Sequence, residues 1–372
     1  MDGRSTERQP RQNSIASRNQ LRFGGPVKLT YRPIELHLAH RWQLARTSGT
    51  TTSRVVVVEL RDSDGTVGLG EAAPTRRYGE DADTVAAFLA RVDAGQLSFD
   101  DVPGSMAYLE GVAPGHAAAK CAVNLALLDG AARRAGKALY DFLGLGFREQ
   151  QHVSSFTIGI DTPEVIRQKV AAAARFPILK IKVGVPEDRQ NLQAVRAVAP
   201  DKTLRVDANE GWKTKEQALA MIEWLAQDPH IEYVEQPMPA GTPVADWVWL
   251  KARSPLPVFA DESYHTAADA PRCAECFHGV NVKLVKTGGV SGGLAALRAA
   301  RQLGLKTMLG CMIETSILIS AGAHLAELCD HLDLDGNILI TNDPFQGVEN
   351  RDGWLSFAGA EEKLGLRVRP RG

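Results

Sequence analysis

The sequence predicts an α/β chain, a TIM-like parallel barrel of about 25-residue strand–helix units preceded by an α+β unit. Three observations predict it. Eight short apolar segments alternate with helical patterns between residues 151 and about 350. Ionisable residues close several of those segments and recur at the same spacing. No glycine-rich phosphate turn follows the first segment at Ile158-Gly159-Ile160-Asp161, which excludes a doubly wound nucleotide fold.

The elements follow in order. Residues 1–25 are rich in Arg, Ser, Gln and Asn and carry too little apolar surface to offset ordering entropy, so they read as a disordered tail. An organelle transit peptide, or a chain start set too early, are the other readings of that composition. From Val27 to about Leu69 the pattern is β: Val55–Leu60 is a strand, Asp62–Gly65 a turn, and Thr66–Leu69 resumes the strand. Helices are expected over 84–93 and 117–135, with Gly136 at the second one's C-terminal cap. The barrel strands are expected at 152–160, 178–183, 203–207, 233–235, 258–261, 280–285, 307–311 and 332–333.

Composition bounds the function. The 372 residues suggest two domains, or a barrel with an attachment. With 43 Lys and Arg against 44 Asp and Glu, the net charge is -1, which argues against a nucleic-acid or bulk-charge membrane partner. No apolar run approaches the ~18 residues of a membrane span. Five scattered cysteines do not form a secreted disulfide framework, so a reduced, cytoplasmic setting is expected. Cys273 and Cys276 make a C-x-x-C without a second pair, and read as two thiols on one helix face rather than a zinc site.

Lys182, Asp207, Glu235, Asp261 and Lys283 each close an apolar strand, at steps of 25, 28, 26 and 22 residues. At the C-terminal strand ends of a parallel barrel such residues converge on one mouth. Three carboxylates from successive strands repel unless a cation joins them, and three hard oxygens suit octahedral Mg²⁺. The alternative is that lysines pair them. Lys182 lies one strand before the carboxylates and Lys283 one strand after. Two amines on opposite sides of a metal suit removal of a proton α to a carboxylate from one face and its return on either, with the metal stabilising the enediolate. The metal and Lys180 would lower the pKa of Lys182 towards neutrality.

These residues sit in Leu179-Lys180-Ile181-Lys182-Val183-Gly184, Val206-Asp207-Ala208-Asn209-Glu210-Gly211-Trp212, Val234-Glu235-Gln236-Pro237, Ala260-Asp261-Glu262-Ser263 and Asn281-Val282-Lys283. By their order and spacing the chain resembles the muconate-lactonising branch of the enolase superfamily from about residue 27 to 372. The resemblance implies a (β/α)7β barrel over 151–354 and an α+β capping domain over 26–150, completed by about 355–372. It implies metal ligation by Asp207, Glu235 and Asp261, an acid/base pair of Lys182 and Lys283, and an electrostatic helper in Lys180.

His331-Leu332-Asp333-Leu334-Asp335-Gly336 resembles the Asp-x-Asp motif of the dipeptide epimerases, where the pair binds a free α-ammonium. Asn342-Asp343-Pro344-Phe345 is also similar to that subgroup. Leu44-Ala45-Arg46-Thr47 resembles the mobile loop of the Ala-Glu epimerases, which would set Arg46 on an acidic side chain; Arg41 or Arg54 are alternatives. A second cap loop, residues 71–80, is expected to close over the mouth, with Arg76, Arg77 and Tyr78 at its rim. Two positions depart from the pattern: Cys311, expected to line the pocket, stands where Ser is expected, and Glu210 where Gln is expected. Lys286 to Gly293 reads as the tight turn after strand six rather than a phosphate cradle.

The implied function is a Mg²⁺-dependent dipeptide epimerase acting in murein peptide turnover, with Ala-Glu the first substrate and two-base 1,1-proton transfer the mechanism. The partner is a small dipeptide; a homo-oligomer is compatible with the sequence. Two other readings stay open: an o-succinylbenzoate synthase or cycloisomerase using the same five residues, and a non-catalytic metal- and peptide-binding barrel. The near-neutral charge hides a concentration of opposed groups, with Arg46, Lys180, Lys182, Lys283 and Lys286 facing Asp207, Glu235, Asp261, Asp333 and Asp335.

Overall fold

The computed structural model describes residues 27–45 and 49–372. The expected tail and Arg46 lie outside the described residues. The N-terminal sheet has three antiparallel strands in the order β1 (Lys28–Trp42), β2 (Thr50–Arg61) and β3 (Val67–Ala72). Residues 55–58, four consecutive valines of β2, are buried because the sheet is covered on both faces there.

Four helices follow: α1 (Ala82–Leu89), α2 (Val102–Val112), α3 (Ala117–Arg134) and α4 (Leu139–Phe142). Glycine in β3 explains how α3 docks. A Cβ on Gly68 would strike the carbonyl oxygen of Ala126, and one on Gly70 that of Ala122. Backbone therefore lies directly on backbone, and the alanine-rich face of α3 fits it. Gly136, with φ 64°, ends the helix in the left-handed conformation expected there. Sequence reading did not assign α2, whose Gly104 and Gly111 dilute its periodicity; the Asp101 side chain caps it by accepting from Gly104 N.

From residue 156 the chain forms eight parallel strands: β4 (Phe156–Ile158), β5 (Ile178–Lys182), β6 (Thr203–Asp207), β7 (Ile231–Glu235), β8 (Val258–Ala260), β9 (Gly279–Lys283), β10 (Lys306–Gly310) and β11 (His331–Asp333). Neighbours in sequence are neighbours in space. The helices between them are α5 (Pro163–Ala172), α6 (Asp188–Val198), α7 (Lys215–Leu225), α8 (Val244–Lys251), α9 (Ala270–Cys276), α10 (Leu284–Thr287), α11 (Val290–Gln302) and α12 (Ser316–Ala323). The sheet is nearly closed: Ser154 bridges Leu332, and Leu334 N donates to Ser154 Oγ at 2.7 Å.

Four strands are shorter than expected, β5 and β8 by their last residue only and β4 and β9 for structural reasons. β4 begins only at Phe156, because Val153 bridges Trp354 and Ser154 N donates to Gly353 O instead of entering the ladder. β9 stops at Lys283 and turns into α10, whose end is closed by Gly288 and Gly289 at φ 75° and 113°. The barrel interior below its mouth is packed, with Tyr233 stacked on Phe259 at 4.3 Å and His331 5.0 Å from Tyr233.

Buried contacts join the N-terminal unit to the rest. Buried Glu71 of β3 accepts from Thr315 N at 2.9 Å, Thr315 Oγ1 at 2.6 Å and Leu318 N at 3.2 Å, at the start of α12. Buried Asp129 of α3 accepts from Leu69 N at 2.9 Å and from Leu366 N at 2.7 Å. Leu139 N donates to Gly365 O at 2.7 Å, so the last residues run along the N-terminal helices. Among the described residues no helix is long and apolar enough to cross a membrane, and all five cysteines are free.

Glu327, beyond α12, accepts from Arg148 N at 2.8 Å, from Arg148 Nε at 2.9 Å and pairs with His152 at 2.9 Å. Burial pushes its carboxyl up, but Arg148 and His152 outweigh that and hold it at about 2, against an ordinary 4.5. A depressed carboxylate stabilises the fold above its unfolded pKa and loses that contribution as pH falls through the folded one. Stability is therefore expected to drop between about pH 4.5 and 2, by about 1–2 kcal/mol from this group after solvent screening. Glu327→Gln should flatten that part of a urea-denaturation pH profile; an unchanged slope removes Glu327 as its cause.

Candidate active site

Alternation within the strands decides which side chains reach the mouth. In β5, Lys180 and Lys182 point inward while Leu179 and Ile181 pack outward. Register then aligns Lys182 with Asp207, and Asp207 with Glu235. Asp261 follows β8, and Lys283 ends β9. Asp207, Glu235 and Asp261 are essentially inaccessible, and each offers a carboxylate oxygen within 4.8 Å of the others.

The lysines grip this triad from both sides. Lys182 Nζ lies 2.6 Å from Asp207 Oδ2, and Lys283 Nζ 2.7 Å from Asp261 Oδ2. Lys286 Nζ, buried, donates to Asp261 Oδ1 at 2.7 Å and to Asp261 O at 2.6 Å. Lys180 is the hub, at 2.8 Å from Glu235, 2.8 Å from Asp333 and 3.2 Å from Asp207. Four buried carboxylates thus meet four buried lysines.

The electrostatics follow. Burial pushes Asp207 and Asp261 up, but Lys182 with Lys180 and Lys283 with Lys286 hold them below the usual range. Glu235 is raised to about 7 by burial and then by Asp207. Burial pushes Lys180 and Lys283 down; Asp333, Glu235 and Asp207 raise Lys180 well above its ordinary value, and Asp261 raises Lys283. A set of three hard oxygens this close, with one carboxyl driven towards its proton, fits a divalent cation in place of part of the lysine charge.

Asp333 ends β11 and Asp335 follows two residues later, and they are not equivalent. Asp333 is committed to the barrel, accepting from Ser155 Oγ and Lys180 Nζ at 2.7 and 2.8 Å. Asp335 accepts from Thr157 N at 2.7 Å, and Cys311 Sγ lies 3.7 Å from its Oδ1. Burial, then Asp333, pushes Asp335 up to about 7. Above the carboxylates lies a cavity of about 210 Å³, lined by Trp42 and Tyr78 from the N-terminal unit and by Lys182, Lys283, Cys311 and Asp335 from the barrel. That is below the ~300–1,000 Å³ of drug-sized sites, so it suits a small ligand.

Two family models match the chain. The N-terminal domain of the mandelate racemase / muconate lactonizing enzyme family matches residues 29–144, and the enolase C-terminal domain-like family matches residues 164–348. The chain belongs to the mandelate racemase / muconate lactonizing enzyme family.

Within that family, a Pedosphaera parvula relative called L-Ala-D/L-amino acid epimerase is 62% identical over 93% of this chain and 100% of its own length. An L-Ala-D/L-Glu epimerase from Bacteroides thetaiotaomicron is 40% identical over 91% of this chain and 88% of its own. A crystal structure of dipeptide epimerase from Cytophaga hutchinsonii, complexed with Mg and D-Ala-L-Val, superimposes with a TM-score of 0.85 at 27% identity, covering 93% of this chain and 95% of that one.

Several residues of this family member's site were given no role from the sequence. Ser155 holds Asp333 and Thr157 holds Asp335, and Asn281 Nδ2 donates to Glu235 Oε1 at 2.7 Å. Asn281 had a signal, since it lies two residues before Lys283 and so faces inward. Gln236 reaches the next strand, accepting from Asp261 N at 2.9 Å, which holds it at φ 37°.

Proposed function

We propose that this chain is a dipeptide epimerase that inverts the α-carbon of the C-terminal residue by proton transfer between two lysines. The observation that carries the reading is Lys182 and Lys283 on opposite sides of a buried carboxylate triad, beneath a cavity of small-ligand size. The names of the 62% and 40% identical relatives support it.

Asp207, Glu235 and Asp261 would hold Mg²⁺. When bound, Mg²⁺ would supply a Lewis acid that stabilises negative charge on the substrate carboxylate as the α-proton leaves. Lys182 and Lys283 divide the remaining work: one, as the amine, takes the α-proton, and the other, as the ammonium, returns one to the opposite face. Lys180 keeps Glu235, Asp207 and Asp333 in place. Asp335, with Asp333 behind it, would bind the substrate's free ammonium, and Cys311 borders that subsite. Arg46 would meet an acidic C-terminal side chain, and Ala-Glu is the first dipeptide to try. The broader name of the 62% identical relative favours testing other L-Ala dipeptides beside it. The end of the chain would complete the capping domain through its bonds to α3 and α4. The five free cysteines support a cytoplasmic enzyme, and murein peptides are a source of such substrates.

The test is a dipeptide library in D₂O with Mg²⁺. α-Deuterium should enter both epimers; absence of exchange with every dipeptide would sink the reading, and turnover of an elimination substrate instead would favour a synthase. Asp335→Asn should raise KM for free-amine dipeptides by about 10–100-fold, the worth of a charge-assisted hydrogen bond in a buried site. Equal KM values for variant and parent would remove Asp335 from ammonium binding.

A further inference from the structure

Glu210 stands where the motif leads one to expect Gln, and the structure gives that departure a partner. Arg77, in the loop after β3, donates from Nε to Glu210 Oε2 and from Nη2 to Glu210 Oε1, both at 2.8 Å. This is the planar two-bond geometry that a guanidinium makes with a carboxylate. Glu210 Oε1 also accepts from Ala240 N at 2.8 Å, in the loop after β7. One side chain therefore joins three loops around the mouth. A glutamine has an NH2 in place of the second oxygen and no charge, so it cannot match the two guanidinium donors with two oxygens in this fork geometry.

Backbone geometry marks the same place. Asn209 and Glu210 are consecutive non-glycine residues in the left-handed region, at φ 43° and 66°. Such conformations are unfavourable for residues with a Cβ and persist only where the surroundings hold them. The neighbouring turn is tight as well, because a Cβ on Gly211 would strike Gly184 Cα. The turn directs Glu210 beneath the cap loop, where its side chain is only 11% exposed.

The loop itself carries a cavity wall. Residues 76–78 form one 3₁₀ turn closed by Gly79 at φ 77°. Pro74, Thr75 and Tyr78 line the cavity opposite Asn209, Lys283 and Cys311. The Tyr78 ring meets His265 edge-on at 5.3 Å, and the Arg77 guanidinium lies 5.8 Å from the Tyr78 ring centre. The segment thus rests on the loops after β6 and β8, with a charged anchor at Glu210.

We propose that the Arg77–Glu210 pair is a clamp that holds the 74–80 loop over the cavity and positions Tyr78 as part of the substrate-binding wall. This deepens the epimerase reading for substrate binding, but the clamp is measurable without turnover. Arg77 and Glu210 act through Tyr78 and the loop, and are positioning residues. Loops of this kind exclude water and complete a site on closing.

The deciding measurement is N-ethylmaleimide labelling of Cys311 in the full chain, resolved by peptide mass spectrometry. In Glu210→Gln, and in Arg77→Met as a second variant, Cys311 should label about tenfold faster than in the parent. The KM for the preferred dipeptide should rise about tenfold, with kcat held within about twofold. A variant that lost only general packing would shift melting temperature and leave the labelling ratio unchanged. Labelling equal to the parent in both folded variants overturns the clamp, whatever the activity. Loss of folding in both by circular dichroism also overturns it, since the pair would then be structural. If the parent labels slowly and the variants fast while no dipeptide turns over, the clamp stands and the substrate reading fails.

Discussion

Replacing Lys182 or Lys283 with alanine is expected to lower kcat for epimerisation by about 10²–10⁴-fold, the usual worth of a positioned acid or base. The fold should survive each change. Without Lys182, Asp207 keeps Lys180 at 3.2 Å; without Lys283, Asp261 keeps Lys286 at 2.7 Å. Neither carboxylate is left buried and alone, which is the situation that costs several kcal/mol. The two variants should also differ in kind. Each retains one lysine, so each should exchange α-deuterium with one epimer and not the other, and the preferred epimer should reverse between them. Stopped D₂O reactions read by NMR measure this directly. Full activity in both variants would remove the lysines from catalysis, and loss of exchange from the same epimer in both would place them on one face.

The second large effect concerns the carboxylate triad. Chelation by EDTA should bring turnover to background and added Mg²⁺ should restore it. Glu235→Gln should lower kcat on the order of 10³-fold or more, equivalent to several kcal/mol of charge stabilisation. Stability offers an independent readout. Mg²⁺ at 100 times its Kd should add about 2.7 kcal/mol to the parent fold, and much less to the variant, because a neutral amide oxygen replaces an anionic ligand. Melting curves with and without Mg²⁺ decide it: equal shifts in parent and Glu235→Gln would remove Glu235 from the ligand set.

Much of the barrel is legible in the order of the amino acids, because its signal is local and repeated: a short apolar strand, a charged end and a helix, about every 25 residues. Alternation inside a strand then says which side chains share a face, so Lys182 and Asp207, or Asn281 and Lys283, need no tertiary information to be set inward. The glycine after α3 and the turn after β9 are legible for a similar reason, since a left-handed residue is required there. By contrast, α2 escapes because two glycines interrupt its period, and β4 reads as too long because Val153 and Ser154 satisfy their backbone groups outside the ladder.

The sequence by itself determined a parallel barrel and the order in which lysines and carboxylates meet around its mouth. The tertiary structure decided what depends on closure and on loops distant in the chain. Asp333 and Asp335 look alike as an Asp-x-Asp pair and both line the cavity; only the return of β4 beside β11 commits the first to Lys180 and Ser155 and sets the second on Thr157 N. Glu71 reaches α12 across 244 residues of sequence, and Arg77 reaches Glu210 across 133. Such pairs have no period and no fixed spacing. Their geometry is set by how the N-terminal unit sits on the barrel, and no local rule of sequence carries it.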